Sequence, residues 1–234
     1  MSVATETSVV SAARAALATV RDPELDEPVT TLGFVASCTV SCEGRATVRL
    51  RLPTYFCAPN FAFLMAADAY DAVTGVEGVT SAEVILEDHF ASDAINAGVA
   101  AQEGFVRSFQ GEASAELDEL RAQFLRKAVM AGTDQVCRPL LAAGMSPAKL
   151  AILTLGEAPP SEHLNRLKRR RADLGLPAGN SAFLLIDPGT GDCLEPAEVP
   201  LHLRKARVTR TGIDANTSMC TGMLEARYRA DRTP

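Results

Sequence analysis

The residues of this chain that could bind a soft metal or act as nucleophiles are few. Six cysteines stand at positions 38, 42, 57, 137, 193 and 220, and the three histidines are His89, His163 and His202. No C-x-x-C pair occurs, and Cys38 and Cys42 are expected on different elements. Neither a zinc ribbon nor a complete cluster cage is therefore expected within one chain. Cys57 has the most distinctive setting, at a junction where a strand gives way to a helix. A thiol there faces unpaired amide hydrogens and the positive end of the helix dipole. Both favour thiolate, the form that ligates iron or attacks an electrophile. The same position also suits a small buried apolar residue.

The remaining candidates carry weaker signals. The histidines are scattered rather than spaced as an H-x-x-x-H ligand pair, so surface or capping roles are expected of them. His89 is set apart because Glu87-Asp88-His89 follows a strand end, where a chain end could approach a site. Asp22 and Glu24 could act as metal or acid–base carboxylates, although a structural turn accounts for Asp22 without chemistry. Cys193, in a turn-rich stretch, and Cys220, in a tail with no assignable pattern, are further possible soft ligands. Cys38 is expected in the core. No G-x-S-x-G elbow, H-E-x-x-H helix or Walker A loop is present, and Gly189-Thr190-Gly191 alone does not imply nucleotide binding.

The elements that must position these residues can be read from periodicity. Val9, Ala13, Ala16, Leu17 and Val20 recur at helical spacing and predict a helix from about Ser8 to Arg21, ended by Pro23. A strand is expected over Leu32–Val40, with Phe34, Ala36, Cys38 and Val40 on one face, and Cys42-Glu43-Gly44 makes a turn. In Arg45–Leu52, Ala46, Val48, Leu50 and Leu52 alternate with polar residues, the mark of a half-buried antiparallel strand. After Cys57-Ala58-Pro59-Asn60 a helix of about four turns carries Phe61, Leu64, Met65, Ala69, Ala72 and Val73. Ala82, Val84 and Leu86 supply a third strand.

Composition separates two segments. Residues 1 to 105 hold 5 basic and 14 acidic side chains, residues 106 to 234 hold 18 and 15, and the whole chain has a net charge of -6. With no clustered basic domain, nucleic acid is not an expected partner. The chain start lacks a basic n-region with an apolar stretch, and no window approaches the roughly 20 apolar residues that span a bilayer. No membrane partner and a cytoplasmic location are therefore expected.

From about Phe105 the pattern turns helical. A first helix is expected after a Ser114 cap, with Leu117, Leu120, Phe124 and Ala128 as its stripe. Ser146-Pro147 opens a second helix and Pro159-Pro160-Ser161 a third, closed by Gly175 and Pro177. The run Lys168-Arg169-Arg170-Arg171 on the third reads as a solvated face, or alternatively as a docking patch for an acidic partner. Ser181–Ile186 reads as a buried strand before the Asp187-Pro188-Gly189 turn. The expected fold class is thus α/β (α+β): a small α-β-β-α-β domain over 1-104, then a mainly helical domain with a short strand pair over 105-234.

The element order, the Asp22-Pro23-Glu24 turn and the segment Leu52-Pro53-Thr54-Tyr55-Phe56-Cys57-Ala58-Pro59 together resemble the SufT/PaaD-like family of iron–sulfur assembly domains. That family carries an Asp-Pro-Glu turn and a Thr-x-x-Gly-Cys-Pro type loop. Thr54 lies near the family threonine and Cys57 matches its cysteine, while Phe56 stands where glycine is usual and Ala58 where proline is usual. The resemblance covers roughly residues 8 to 88. It implies a transient Fe–S cluster or iron cargo at Cys57 and a homodimer in which two cysteines could share a metal centre; beside Thr54, the residues Asp22, Glu24 and His89 singled out above are the candidate supporting residues. The whole arrangement resembles a longer subgroup found beside bacterial diiron monooxygenase genes, such as those for propane oxidation. This implies a client metalloenzyme recognised by the second segment. A non-enzymatic maturation factor is the expected function. The rival is a metal-free interaction or folding adaptor for the same kind of client. A thiol enzyme using Cys57 would need a neighbouring base, and none is evident.

Overall fold

Residues 3–111 and 113–229 are described in a computed structural model, and they form two compact units. The first runs from the amino terminus to Asp118 and includes the chain from Asn216 onward; the second is Glu119–Ala215. The division therefore lies elsewhere than the boundary expected between residues 104 and 105. The mixed α/β class agrees with the expectation from sequence.

In the first unit, helix α1 (Val3–Leu17) leads to strands β1 (Val35–Val40) and β2 (Arg45–Arg51), helix α2 (Pro59–Thr74) and strand β3 (Ser81–Glu87). β1 pairs antiparallel with β2, and β2 pairs parallel with β3, so α2 is the crossover that a parallel pair requires. The alternation in β2 explains its two faces. Ala46, Val48 and Leu50 are buried beneath α1 and α2, while Arg49 and Arg51 face outward and bind Glu87 of β3 at 2.6 and 2.7 Å. Burial alone would raise the Glu87 carboxyl, but the Arg51 and Arg49 bonds outweigh it and hold the group below the usual range.

α1 begins at Val3, ahead of the expected Ser8, and two further boundaries differ from the periodic reading, each for a local reason. α1 stops at Leu17, because Val20 turns into the core and Arg21 bridges to Pro28 in a tight loop around Asp22. β1 starts at Val35 rather than Leu32, because Gly33 takes a φ of 76°, which no strand residue adopts. Beyond β3 two elements had no periodic signal, the short helices α3 (Ser92–Ala100) and α4 (Phe105–Ser108).

The second unit is built on α5 (Asp118–Ala142), α6 (Pro147–Ile152), α7 (Glu162–Asp173) and the first part of α8 (Val199–Arg227), around Val136, Leu140, Leu150, Leu167, Leu184 and Val199. Ser146 and Ser161 cap α6 and α7 as expected, accepting from the Lys149 and Leu164 amides at 3.3 and 3.2 Å. Ser114 does not cap α5, which starts at Asp118. Instead the neighbouring Glu116 carboxylate accepts from the Phe105 and Val106 amides and caps α4.

The expected strand at 181–186 is reduced to isolated bridges, Thr154 with Phe183 and Ile186 with Cys193. The cause is Arg171, which is wholly buried and donates to the carbonyls of Phe183 at 2.8 Å and Leu184 at 2.5 Å. A guanidinium takes the acceptors that a strand ladder would use. Burial lowers Arg171 to about 10. The basic run is thus not one solvated face. Lys168 reaches Asn180 and Arg169 pairs with Glu162, but Arg170 and Arg171 turn inward.

Candidate functional site

β2 ends at the top of the sheet, and the chain from Leu52 to Ala58 crosses to the start of α2. Leu52 and Pro53 are buried and anchor this loop, whereas Tyr55 and Phe56 stand out from it. Cys57 is half-buried, one residue before the Ala58 cap of α2, and its Sγ meets the Thr54 hydroxyl at 3.4 Å. Ala58 offers no side-chain cap, but Pro59 has no amide to leave free. The Phe61 amide donates to Asn60 Oδ1 at 2.9 Å and to the Ala58 carbonyl at 3.1 Å, so fewer free amides adjoin the thiol than the sequence led one to expect.

The segment after β3 fixes this loop from the other side. Asp88 has a φ of 50°, which turns the chain so that Phe90 donates its amide to the Tyr55 carbonyl at 3.1 Å. His89 is buried and sits 2.7 Å from the Cys57 carbonyl through Nε2, while its Nδ1 accepts from the Ala91 amide at 3.2 Å. That pair of contacts selects the tautomer with hydrogen on Nε2. Burial lowers the His89 pKa and Arg227 adds to the effect, against the Cys57 carbonyl bond, which favours the cation. His89 therefore supports the Cys57 backbone as a neutral ring with both nitrogens engaged.

Asp22 is buried, and its Oδ1 accepts from the amides of Glu24 at 2.9 Å and Leu25 at 2.8 Å, closing the Asp22-Pro23-Glu24 turn. Burial raises its carboxyl despite those two bonds. Glu24 is half-buried and accepts from Asn216 at 3.2 Å. That contact brings in the end of α8, on which Cys220 is half-buried against the same core as Cys57. Burial pushes the Cys220 thiol up to about 11, and Asp22, Cys57 and Glu24 each add to the rise. Cys220 on the end of α8 therefore lies within electrostatic reach of Asp22, Glu24 and Cys57. Cys193 is exposed on its bridge to Ile186 in the second unit. Cys38 is core. Among the described residues no group of three or more His, Cys, Asp or Glu is set to enclose a metal ion.

Residues 11–84 match the model of the iron–sulfur cluster assembly protein family. The match supports a general part in iron–sulfur cluster assembly. The matched segment carries Asp22, Glu24, Thr54 and Cys57, while His89, Cys220 and the second unit lie beyond it. No curated protein and no solved structure matches the chain. No helix among the described residues is long and apolar enough to cross a membrane.

Two groups of residues at this site escaped the periodic reading. Tyr55, Phe56 and Phe90 are 47, 77 and 49 % exposed and form one cluster, with ring centroids 5.0 Å apart for Tyr55 and Phe56 and 6.1 Å for Phe56 and Phe90. Phe90 also borders an open cleft of about 740 Å³ lined by Pro59, Ala94, Phe105, Phe109 and Leu117. The run of two aromatics directly before Cys57 was the available signal. The second group is Arg227 and Tyr228. Arg227 donates to the carbonyls of Leu52 at 3.1 Å and Asp88 at 2.5 Å, and the Tyr228 hydroxyl bonds Asp88 at 3.2 Å beneath the Arg51 guanidinium. Nothing local in the sequence pointed to them.

Proposed function

We propose that this protein is a non-enzymatic maturation factor that holds iron or an iron–sulfur cluster transiently at Cys57 and passes it to a client metalloenzyme. The observation that carries the reading is the half-buried Cys57 thiol, beside one hydroxyl, at the strand-to-helix turn of the segment matching an iron–sulfur assembly family. A thiol that is reachable and sparsely bonded suits cargo that must leave again. Deep enclosure by four protein ligands would suit retention. The resemblance to accessory proteins of diiron monooxygenase operons makes such an enzyme the client to test first, and a homodimer would let two copies of Cys57 share one centre.

Anaerobic reconstitution with iron and sulfide tests the carrier role. The wild-type protein is expected to develop a visible chromophore that Cys57→Ala lacks, and equal, negligible uptake by both would end the proposal. The exposed cluster of Tyr55, Phe56 and Phe90 favours a second reading, an adaptor that docks the client without carrying metal. Client maturation that persists in Cys57→Ala but is lost in Phe56→Ser would select that reading.

A further inference from the structure

In the second unit, α8 is anchored through one face. Val199 and Ala206 are fully buried, Leu203 packs on the core that holds Leu167 and Leu184, and Arg210 bonds Asp134 of α5 at 2.6 Å. These positions recur at helical spacing and turn inward together. Leu201, Arg204, Lys205 and Val208 share the opposite face at i, i+3, i+4 and i+7. Leu201 is 52 % exposed and Val208 72 %, and with Met130 of α5 they line an open groove of about 580 Å³ that Arg204, Lys205 and Thr209 complete. A solvated helix face gains nothing from two large apolar side chains two turns apart, and a β-branched valine slightly lowers helix propensity there. Charge marks the same face. From Val199 to Ile213 the helix holds Arg204, Lys205, Arg207 and Arg210 and no carboxylate. Arg210 is engaged by Asp134 and Asp214, whereas Arg204, Lys205 and Arg207 are exposed and make no ion pair among the described residues. The run Lys168–Arg171 is by contrast taken up by Asn180, Glu162 and backbone carbonyls.

We propose that this face of α8 docks an acidic amphipathic helix of a partner protein. The inference goes beyond the carrier reading and holds whether or not Cys57 carries metal. Anchors seven residues apart lie about 10 Å apart along the helix axis, a span that two turns of a partner helix match with apolar residues at i, i+3 or i+4, and i+7. Between the anchors, the Arg204 and Lys205 stems extend the apolar surface while their charged ends stay in water. Asp or Glu beside the partner's apolar stripe meets those ends, and such complementarity fixes register and speeds encounter. Met130 adds an unbranched, adaptable contact. A nucleic acid strand would use the cations and leave Leu201 and Val208 without a partner. In a helix that lies on a membrane the cations flank the apolar stripe, whereas here they stand between the apolar residues.

Titration of the full-length protein into a fluorescent synthetic helical peptide, with Leu at i, i+4 and i+7 and Glu on either side of that stripe, tests this by anisotropy. Saturable binding of one peptide per chain is expected. A peptide of the same composition with its Leu residues scattered around the helix should bind about tenfold more weakly, because it cannot present one apolar stripe. Arg204→Glu combined with Lys205→Glu should weaken binding about tenfold or more through like-charge contacts, and Leu201→Ser combined with Val208→Ser about tenfold through loss of the anchors. All four residues are exposed, so the unfolding midpoints of these variants should match wild type. Arg138→Glu, at an exposed charge elsewhere on α5, should leave affinity within about twofold. Absence of peptide binding overturns the proposal. Equal binding of the scattered peptide, or equal weakening by Arg138→Glu, also overturns it by reducing the effect to net charge. Tighter binding of a single-stranded oligonucleotide or of phosphatidylserine vesicles through the same residues would assign the face to nucleic acid or membrane instead. Self-association that is lost in the Arg204→Glu and Lys205→Glu protein would make a second copy the occupant, and the proposal would fall.

Discussion

The side chains around Cys57 divide the work between exposure and support. Phe56 is 77 % exposed and its ring contacts with Tyr55 and Phe90 lie at the surface, so Phe56→Ser should change unfolding free energy by no more than about 0.5 kcal/mol. Any loss of client capture by that variant, read by pull-down against wild type, then reports docking. His89 makes a pH prediction with a definite sign. Its pKa is lowered from 6.5 in the folded protein, so the unfolded chain binds the proton more readily and stability falls as pH drops below about 6.5. His202, also lowered by burial, adds a similar loss in the second unit. Melting temperature followed from pH 7.5 to 5 should decline, and His89→Gln should flatten part of that decline. An unchanged slope would contradict the buried neutral ring.

Single elements are held by a few polar contacts. Ser161 accepts from the Leu164 amide at the start of α7, and Ser161→Ala should cost about 1 kcal/mol in urea unfolding. Arg171 on the same helix has a larger effect, because it fills the acceptors of the 183–184 segment in place of a strand partner. Arg171→Met should destabilise the second unit by roughly 2 to 4 kcal/mol, since two buried carbonyls lose charged donors, partly offset by removal of a buried charge. A neutral outcome would mean that water can replace the guanidinium there. Leu224 does comparable work in the first unit through apolar contact. Leu224→Ala should cost about 2 to 4 kcal/mol by leaving a void against the core.

Across the molecule, the first unit is discontinuous in sequence: it takes its last helical turns from the far end of the chain. Such closure ties the Cys57 loops to residues that lie more than a hundred positions away, so changes in the tail should register at the thiol. Alkylation of Cys57 at neutral pH, followed in wild type and Arg227→Gln, is expected to be several-fold faster in the variant. Equal rates would show that the end of α8 does not control access. The uneven charge, with 14 of the 29 acidic and only 5 of the 23 basic residues before residue 106, gives the cysteine-bearing segment an acidic surface that suits a cationic cargo or partner.

The sequence alone determined the α-β-β-α-β order, the two faces of β2, the serine caps of α6 and α7, and the place of Cys57 before a helix. Each follows from interactions among residues a few positions apart, which leave a period or a cap in the chain. Only the tertiary structure decided that Ser181–Ile186 gives up its ladder to Arg171, that His89 grips the Cys57 backbone, and that Cys220 on the end of α8 packs against the core of the first unit. Those outcomes depend on contacts between distant segments, where burial and hydrogen-bond satisfaction are set by the packed whole and leave no local pattern to read.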